Sequence, residues 1–219
     1  MREQIIEAVL REKIIVIVRG VRKDKLIPLA EAMYKGGIRL LEITYSAKGT
    51  PSSEETADSI RMLTEHFGDR LLCGAGTVLT PEQAELTAAA GGKFIISPDT
   101  CPEVIKRTRE LGLVSMPGAL TPTEAMAAHR AGADFVKLFP ISNLGSDYVK
   151  AVSAPLSQIR FLAVGGVSLD NIAEYARAGV CGFGLGSNIV NKAHIESGNF
   201  AAITELAEKY VSAVKNASV

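Results

Sequence analysis

Residues 113–140 read LVSMPGALTPTEAMAAHRAGADFVKLFP and contain one complete example of the unit that this chain repeats. The apolar runs Leu113 to Pro117 and Phe135 to Pro140 have the length and composition of buried strands. Between them, Thr121-Pro122 is a typical helix start and Gly132 a typical helix end. A helix that links two such strands is the building unit of an α/β fold with a parallel sheet.

The same alternation of short apolar runs and longer amphipathic stretches extends over the chain. The predicted strands are Ile14 to Arg19, Leu40 to Tyr45, Leu71 to Val78, Lys93 to Pro98, Leu113 to Pro117, Phe135 to Pro140, Phe161 to Gly166 and Gly182 to Ser187. Each of the first seven is followed by a helix-like segment, for example Asp24 to Lys35, Ser52 to Phe67, Pro81 to Ala90 and Ser168 to Ala178.

Eight such units in about 200 residues predict a single (β/α)₈ TIM barrel that forms one domain over residues 1–219. An additional N-terminal helix is expected at Arg2 to Arg11. The alternative is a doubly wound open sheet, which usually has fewer strands for this length and a glycine-rich loop after its first strand. Here the glycine-rich turns follow the seventh and eighth strands instead, which favours the barrel.

The composition excludes several classes of function. Lys plus Arg equals Asp plus Glu, at 24 each, so neither a nucleic-acid partner nor a membrane surface is indicated. No apolar run reaches the ~18 residues of a membrane span, and no signal peptide is visible. Cys73, Cys101 and Cys181 are odd in number and widely spaced, which suggests a reducing compartment, and we expect a cytoplasmic protein.

Lys137 has two apolar residues on each side, which is unusual for a lysine. Burial lowers the pKa of an ammonium group, and the resulting neutral amine is the nucleophile that forms Schiff bases with carbonyl substrates. The alternative is a lysine that reaches the surface at the strand end or pairs with a carboxylate.

Glu42 is the acidic candidate beside this lysine. In a barrel the chemistry lies at the C-terminal ends of the strands. Strand alternation places Glu42 on one face with Leu40 and Thr44, and Lys137 on one face with Phe135 and Phe139. If both faces point inward, Glu42 is either a general acid and base for the amine or its salt-bridge partner.

Other strand ends carry candidates for substrate binding. Gly165-Gly166 and Gly186-Ser187 either make tight turns or bind phosphate, which the loops after strands seven and eight of such barrels commonly do. Arg19 is either a surface ion-pair partner or a carboxylate clamp, and Thr77 either binds a carboxylate or packs. None of the three histidines, His66, His129 and His194, is at a strand end, so no metal site is predicted.

Several blocks of the sequence, in matching order over nearly the whole chain, resemble one family, the 2-dehydro-3-deoxy-6-phosphogluconate (KDPG) and 4-hydroxy-2-oxoglutarate (KHG) aldolases. These blocks are Leu41-Glu42-Ile43-Thr44, Gly74-Ala75-Gly76-Thr77-Val78-Leu79, Ile96-Ser97-Pro98, Pro117-Gly118, Val136-Lys137-Leu138-Phe139-Pro140 and Gly165-Gly166-Val167. The resemblance implies a homotrimeric class I aldolase on a (β/α)₈ barrel. It implies that the substrate is a phosphorylated 2-keto-3-deoxy sugar acid, that pyruvate is a product, and that no cofactor is needed.

The resemblance also implies a role for individual residues. Lys137 would form the Schiff base and Glu42 would move protons. The substrate-binding residues would be Arg19 and Thr77 at the pyruvate end, Pro98 and Phe139, and for the phosphate Gly165, Gly166, Gly186 and Ser187.

The chain departs from the gluconate-type members at two positions. Those members usually carry an arginine four residues after the catalytic glutamate, where this chain has Ser46, with Lys48 nearby. They also tend to have threonine before the paired glycines, where this chain has Val164, as in the galactonate-type (KDPGal) relatives. Arg19 then becomes the expected carboxylate anchor, and the preference at C4 of the substrate stays open.

Two other classes of function remain compatible with these residues. A phosphosugar isomerase or epimerase on the same barrel would use Glu42 as a base and Lys137 as an electrostatic group, because the fold alone does not select the reaction. A binding protein that has lost its activity is disfavoured, because an unused buried lysine is costly to retain.

Overall fold

The structure is a computed structural model that describes residues 2–217, so residues 1, 218 and 219 of the predicted domain lie outside the described residues. All strand pairs in the described chain are parallel. The strands are β1 (Ile14–Val18), β2 (Leu40–Thr44), β3 (Leu72–Gly76), β4 (Phe94–Ile96), β5 (Val114–Met116), β6 (Gly118–Ala119), β7 (Val136–Leu138), β8 (Phe161–Val164) and β9 (Gly182–Leu185). The helices are α1 (Arg2–Glu12), α2 (Lys23–Lys35), α3 (Ser53–Phe67), α4 (Pro81–Ala89), α5 (Pro102–Glu110), α6 (Pro122–Ala131), α7 (Gly145–Ser153), α8 (Ile172–Arg177), α9 (Lys192–Ser197) and α10 (Phe200–Ala217).

The sheet closes through the fifth predicted strand. Its order is β5-β4-β3-β2-β1-β9-β8-β7-β6, and only Pro117 separates β5 from β6 in the chain. The amide of Lys137 on β7 donates to the carbonyl of Pro117 over 2.9 Å. The residue between β5 and β6 is therefore also bonded to β7. Proline has no N–H to donate, so it divides this barrel strand into two short pieces. The prediction of a TIM barrel with an additional N-terminal helix is confirmed.

The predicted end of the fifth strand at Pro117 is too early, because the structure continues the strand through Gly118 and Ala119. A Cβ at residue 118 would overlap the carbonyl of Pro98 on the neighbouring loop. Glycine therefore allows the two segments to approach closely at this edge of the barrel mouth.

The helix predicted from Ser168 begins later, at Ile172. The side chain of Asn171 accepts a hydrogen bond from the amide of Ser168 at 2.8 Å and donates one to the carbonyl of Gly166 at 2.9 Å. These bonds hold a turn after β8, which delays the helix and fixes the preceding loop.

Two apolar layers hold the barrel together. The outer layer, between strands and helices, contains Leu41 and Ile43 of β2 and Val136 and Leu138 of β7. The inner layer contains Ile15, Leu40, Phe94, Val114, Phe135 and Leu162, packed against Ile5, Ile6 and Val9 of α1. Helix α1 therefore covers the end of the barrel at which the strands begin. Among residues 2–217 no helix has the length and apolar character that crossing a bilayer requires.

Candidate active site

A cavity of about 450 Å³ opens at the C-terminal ends of the strands. The residues predicted as catalytic or substrate-binding all line it, namely Arg19, Glu42, Thr77, Pro98, Lys137, Phe139, Gly165, Gly166, Gly186 and Ser187. The remaining lining is formed by Ile17, Val164, Val167, Gly184 and Asn188. The structure therefore brings residues from distant parts of the sequence to the end of the barrel where such folds carry out chemistry.

Glu42 on β2 and Lys137 on β7 both point into this cavity from the inner face of the barrel. They are almost completely buried, with 2% of Glu42 and 6% of Lys137 exposed. Among residues 2–217 no hydrogen bond joins them, and no ion pair within 4.0 Å does. No close salt bridge to Glu42 therefore satisfies Lys137 within the described residues, although the two charges still act on each other.

Burial dominates the ionisation of both groups. It raises the pKa of Glu42 above the ordinary value, against the opposing effect of the positive charges on Lys137 and Arg19. It lowers the pKa of Lys137; the charge of Glu42 opposes this shift and the charge of Arg19 adds to it. Both shifts favour the neutral forms, which are a carboxylic acid and a free amine. The free amine is the form that attacks a carbonyl carbon.

The ring of Phe139 lies against the amine. Nζ of Lys137 is 4.4 Å from the centroid of this ring, and both residues are on the same face of the strand. The amide of Phe139 donates to the carbonyl of Ala119 at 3.0 Å, so the backbone that carries the ring is fixed. A Cβ at Gly165 would lie 3.3 Å from Cδ2 of Phe139, so a side chain at residue 165 would crowd the ring.

Arg19 and Thr77 form a polar pair at the cavity mouth. Arg19 follows β1 and Thr77 follows β3, and these strands lie on either side of β2, which carries Glu42. Nη2 of Arg19 donates to the hydroxyl of Thr77 at 2.8 Å. Thr77 has φ 55°, which is unusual for a β-branched residue and directs its side chain to this position. A guanidinium beside a hydroxyl is suited to binding a carboxylate.

The loop after β8 turns through two glycines with positive φ. Gly165 and Gly166 have φ values of 89° and 85°, which side chains rarely adopt. A Cβ at Gly166 would lie 2.7 Å from Cα of Ser142, so this position also has no room for a side chain. At Gly186, after β9, a Cβ would have no atom within 4 Å, so the cavity is open there. Backbone amides in such turns are common phosphate ligands.

Other polar residues near the strand ends have structural partners. The hydroxyl of Thr44 donates to the carbonyl of Val18 at 3.4 Å, and that of Ser97 donates to the carbonyl of Val78 at 2.7 Å. Neither Ser46 nor Lys48 is among the described residues that line the cavity. Among the described lining residues Arg19 is the one arginine.

Two asparagines at the site were not predicted. Asn171 holds the glycine turn through the two hydrogen bonds given above. Asn188 lines the cavity, and its side-chain amide donates to the hydroxyl of Tyr210 on α10 at 2.8 Å. Asparagine shortly after a glycine at a strand end often bonds to nearby backbone, which is the signal that identifies Asn171. Tyr210 is distant in the sequence, and no local pattern identifies its contact with Asn188.

A second cavity of about 450 Å³ lies where the strands begin. Its lining comes from the end of α1, the segment before β2 and α10, namely Arg11, Glu12, Lys13, Ile14, Gly37, Ile38, Arg39, Val211, Val214 and Lys215. The first cavity is the candidate active site, because it contains the buried acid and amine. Across the described range, no cluster of three or more His, Cys, Asp or Glu side chains is placed to hold a metal ion.

A family model described as KDPG and KHG aldolase matches residues 5–206. The chain belongs to the KDPG and KHG aldolase family. Aldolases are carbon–carbon lyases, and the chain is an enzyme of this class. The resemblance inferred from the sequence blocks is confirmed.

The chain is similar to members of both the galactonate and the gluconate type. It is 39% identical over 177 residues to 2-dehydro-3-deoxy-6-phosphogalactonate aldolase of Escherichia coli K12, which covers 80% of this chain and 83% of that protein. It is 36% identical over 214 residues to 2-dehydro-3-deoxy-phosphogluconate aldolase of Treponema pallidum, covering 96% and 97%. Its fold matches the crystal structure of KDPG aldolase from Legionella pneumophila with pyruvate captured at low pH as a covalent carbinolamine intermediate. That match has a TM-score of 0.80 and 30% identity, and covers 93% of this chain and 96% of the other.

Proposed function

We propose that this aldolase cleaves a 2-keto-3-deoxy-6-phospho sugar acid to pyruvate and glyceraldehyde 3-phosphate through a Schiff base on Lys137. The observation that carries the proposal is the pairing of a buried amine with a buried carboxyl in one open cavity. The pKa shifts of Lys137 and Glu42 both favour the neutral forms with which this reaction starts. The carbinolamine in the similar Legionella structure is the intermediate that a class I mechanism requires.

In the first stage Nζ of Lys137 attacks the C2 ketone of the substrate and forms a carbinolamine. Glu42, as the protonated acid, gives its proton to the departing C2 oxygen, which leaves as water. The products are a positively charged iminium on Lys137 and a carboxylate on Glu42. The number of protons is conserved, because the amine retains one hydrogen and supplies the other hydrogen of the water.

In the second stage the iminium accepts the electron pair of the breaking C3–C4 bond. The Glu42 carboxylate takes the proton of the C4 hydroxyl, directly or through a water, and the aldehyde product leaves. The remaining enamine of pyruvate is protonated at C3 by Glu42. Water then adds to the iminium carbon, and the Glu42 carboxylate takes up the proton that this hydrolysis releases. Pyruvate leaves, Lys137 is again a free amine and Glu42 is again the protonated acid.

The cavity lining supports a placement of the substrate along the barrel mouth. Arg19 and Thr77 bind the carboxylate at the pyruvate end, because their side chains are already joined by a hydrogen bond at the mouth. Pro98 and Phe139 form apolar wall beside the reacting carbons. The phosphate binds the turns after β8 and β9, through the backbone of Gly165, Gly166, Gly186 and Ser187.

Two further proposals concern the choice of substrate, namely the preferred configuration at C4 and the use of a substrate without phosphate. Val164 offers no hydrogen bond to a sugar hydroxyl at the place where gluconate-type members tend to have threonine, so the preferred epimer is the phosphogalactonate. The phosphate-free 4-hydroxy-2-oxoglutarate, which yields pyruvate and glyoxylate, is a second substrate. We propose further that the chain forms a single domain, that it assembles as a homotrimer, and that it acts in the cytoplasm.

The first test is trapping of the Schiff base. The protein is incubated with pyruvate and borohydride, and its intact mass is measured beside that of Lys137→Met and of the matched control Lys48→Met, in which the altered lysine lies outside the cavity lining. One reduced-pyruvate adduct on the wild type and on Lys48→Met, absent from Lys137→Met, supports the proposal. If saturating pyruvate gives no adduct on the wild type, an isomerase or epimerase that uses Glu42 as a base becomes the better hypothesis.

A further inference from the structure

Formation of the Schiff base creates a positive charge in a place that disfavours it. The neutral amine of Lys137 becomes an iminium while Glu42 becomes a carboxylate, so one buried charge of each sign appears. Lys137 is 6% exposed, and burial already destabilises the charged form of its amine. The positive charge of Arg19 adds to that destabilisation. The intermediate therefore needs a local group that stabilises a cation.

Conventional partners for this charge are not in contact with the nitrogen. Over residues 2–217 Nζ of Lys137 has neither a hydrogen bond nor an ion pair within 4.0 Å. The face of the Phe139 ring, by contrast, lies 4.4 Å from Nζ at its centroid. This distance is well inside the ~6 Å within which an aromatic face attracts a cation.

We propose that Phe139 is a catalytic residue whose ring face stabilises the cationic iminium on Lys137, a role that rests on the proposed Schiff-base function. The ring acts on the charge that develops when water leaves the carbinolamine, and it has little effect on the neutral amine. It thus stabilises an intermediate more than the resting enzyme, which is the requirement for a faster reaction. The contribution adds to that of the Glu42 carboxylate, which is formed in the same step.

The ring is held in place before substrate binds. The amide of Phe139 is bonded to the carbonyl of Ala119, and a Cβ at Gly165 would lie only 3.3 Å from Cδ2 of the ring. A group that is already oriented toward the developing charge needs no rearrangement during the reaction. Phe135, two residues earlier on the same strand face, lies instead in the inner core with 1% exposed.

The test replaces Phe139 with phenylalanines that carry one, two or three ring fluorines. Fluorination withdraws electron density from the ring face and changes its size little, so it weakens a cation–π contact in steps. The rate of imine formation is measured with pyruvate by borohydride trapping. We expect it to fall with each fluorine and to be about tenfold lower for the trifluorinated ring. The same series at Phe135 should leave the rate unchanged.

A second variant does not depend on unnatural residues. Phe139→Leu keeps an apolar side chain but has no ring face, so imine formation should slow at least as much as with the trifluorinated ring. If the rates at residue 139 are independent of fluorination while the wild type forms its adduct, the ring is only an apolar wall and the inference is overturned. If the wild type itself forms no adduct, the proposed function fails, and the inference fails with it.

Discussion

Glu42 can occupy its position because residue 76 has no side chain. Gly76 lies on β3 beside β2, and a Cβ built on it would overlap Oε1 of Glu42. The absence of one methyl group on the neighbouring strand therefore leaves the space that the carboxyl occupies. Since the proposed proton transfers need Glu42 within reach of the substrate, Gly76 is expected to be a positioning residue for the reaction.

Gly76→Ala should displace the carboxyl and reduce kcat by about 100-fold or more, the usual contribution of a general acid and base. The measurement is kcat for cleavage of the phosphorylated sugar acid, together with exchange of the C3 protons of pyruvate. Glu42→Gln should cause a loss of the same kind. Because both changes remove one function, the double variant should be no slower than the slower single variant. Losses that multiply in the double variant would contradict this role of Gly76.

Arg19 should set the pH range of the reaction. Its positive charge lowers the pKa of Lys137 by repulsion and lowers the pKa of Glu42 by attraction. Activity rises as Lys137 loses its proton and falls as Glu42 loses its own. In Arg19→Gln both pKa values rise, so both limbs of the pH profile should move to higher pH. The profile of kcat/KM for C3 proton exchange in pyruvate measures this shift.

Arg19→Gln also loses a carboxylate anchor, and this loss lowers the maximum of kcat/KM. The pH values of the two limbs, by contrast, depend on the charge of Arg19. Arg22→Gln is the matched control, because Arg22 is exposed and bonded to Asp24 at 2.9 Å. The two limbs of the Arg22→Gln pH profile should lie at the same pH as those of the wild type. Limbs that stay in place in Arg19→Gln, or that move to lower pH, would show that the charge of Arg19 does not act on the pair.

Much of the fold follows from local patterns. The alternation of Leu40, Glu42 and Thr44 identifies the inner face of β2, because side chains on a strand have a period of two. The rule that chemistry lies at the C-terminal strand ends then groups residues as distant as Arg19 and Ser187, and the cavity contains both. Such patterns identify the residues at the barrel mouth independently of the details of closure.

Details that depend on contacts across the barrel could not be predicted. The overlap between Gly76 and Glu42 depends on the register of β2 and β3, which neither strand's own sequence contains. The continuation of the fifth strand past Pro117 depends on the approach of Gly118 to the loop at Pro98. These features arise only when distant segments pack, so propensity and periodicity alone do not identify them.

Asn171 is expected to matter for the phosphate and not for the chemistry. Its side chain bonds both the amide of Ser168 and the carbonyl of Gly166, which holds the proposed phosphate turn. Asn171→Ala should raise KM for the phosphorylated substrate about tenfold, which corresponds to a loss of roughly 1.4 kcal/mol of binding free energy. The loss of two hydrogen bonds that hold the turn can account for this amount. KM for 4-hydroxy-2-oxoglutarate, which has no phosphate, should be unchanged.

Asn191→Ala is the control for a general loss of helix stability. Asn191 caps α9 through a 3.2 Å bond from the amide of His194 and is not among the cavity residues. It should lower the unfolding free energy by about 1 kcal/mol and leave both KM values unchanged. An equal rise of both KM values in Asn171→Ala would mean that the asparagine supports the whole mouth and not the phosphate turn.

Val164 is expected to influence which epimer is cleaved. It lines the cavity and pairs with Gly184 on β9. A Cβ at Gly184 would lie 2.8 Å from Cγ2 of the valine. Val164→Thr adds a hydroxyl with almost no change in volume, so a substrate hydroxyl at C4 gains a hydrogen-bond partner in one configuration only. We expect the ratio of kcat/KM for the phosphogluconate substrate to kcat/KM for the phosphogalactonate substrate to rise about tenfold.

The control is Val167→Thr, which alters a second valine in the cavity lining and should leave this ratio near its wild-type value. A ratio that is unchanged in Val164→Thr, or that moves toward the galactonate, would remove Val164 as a determinant of the preference at C4.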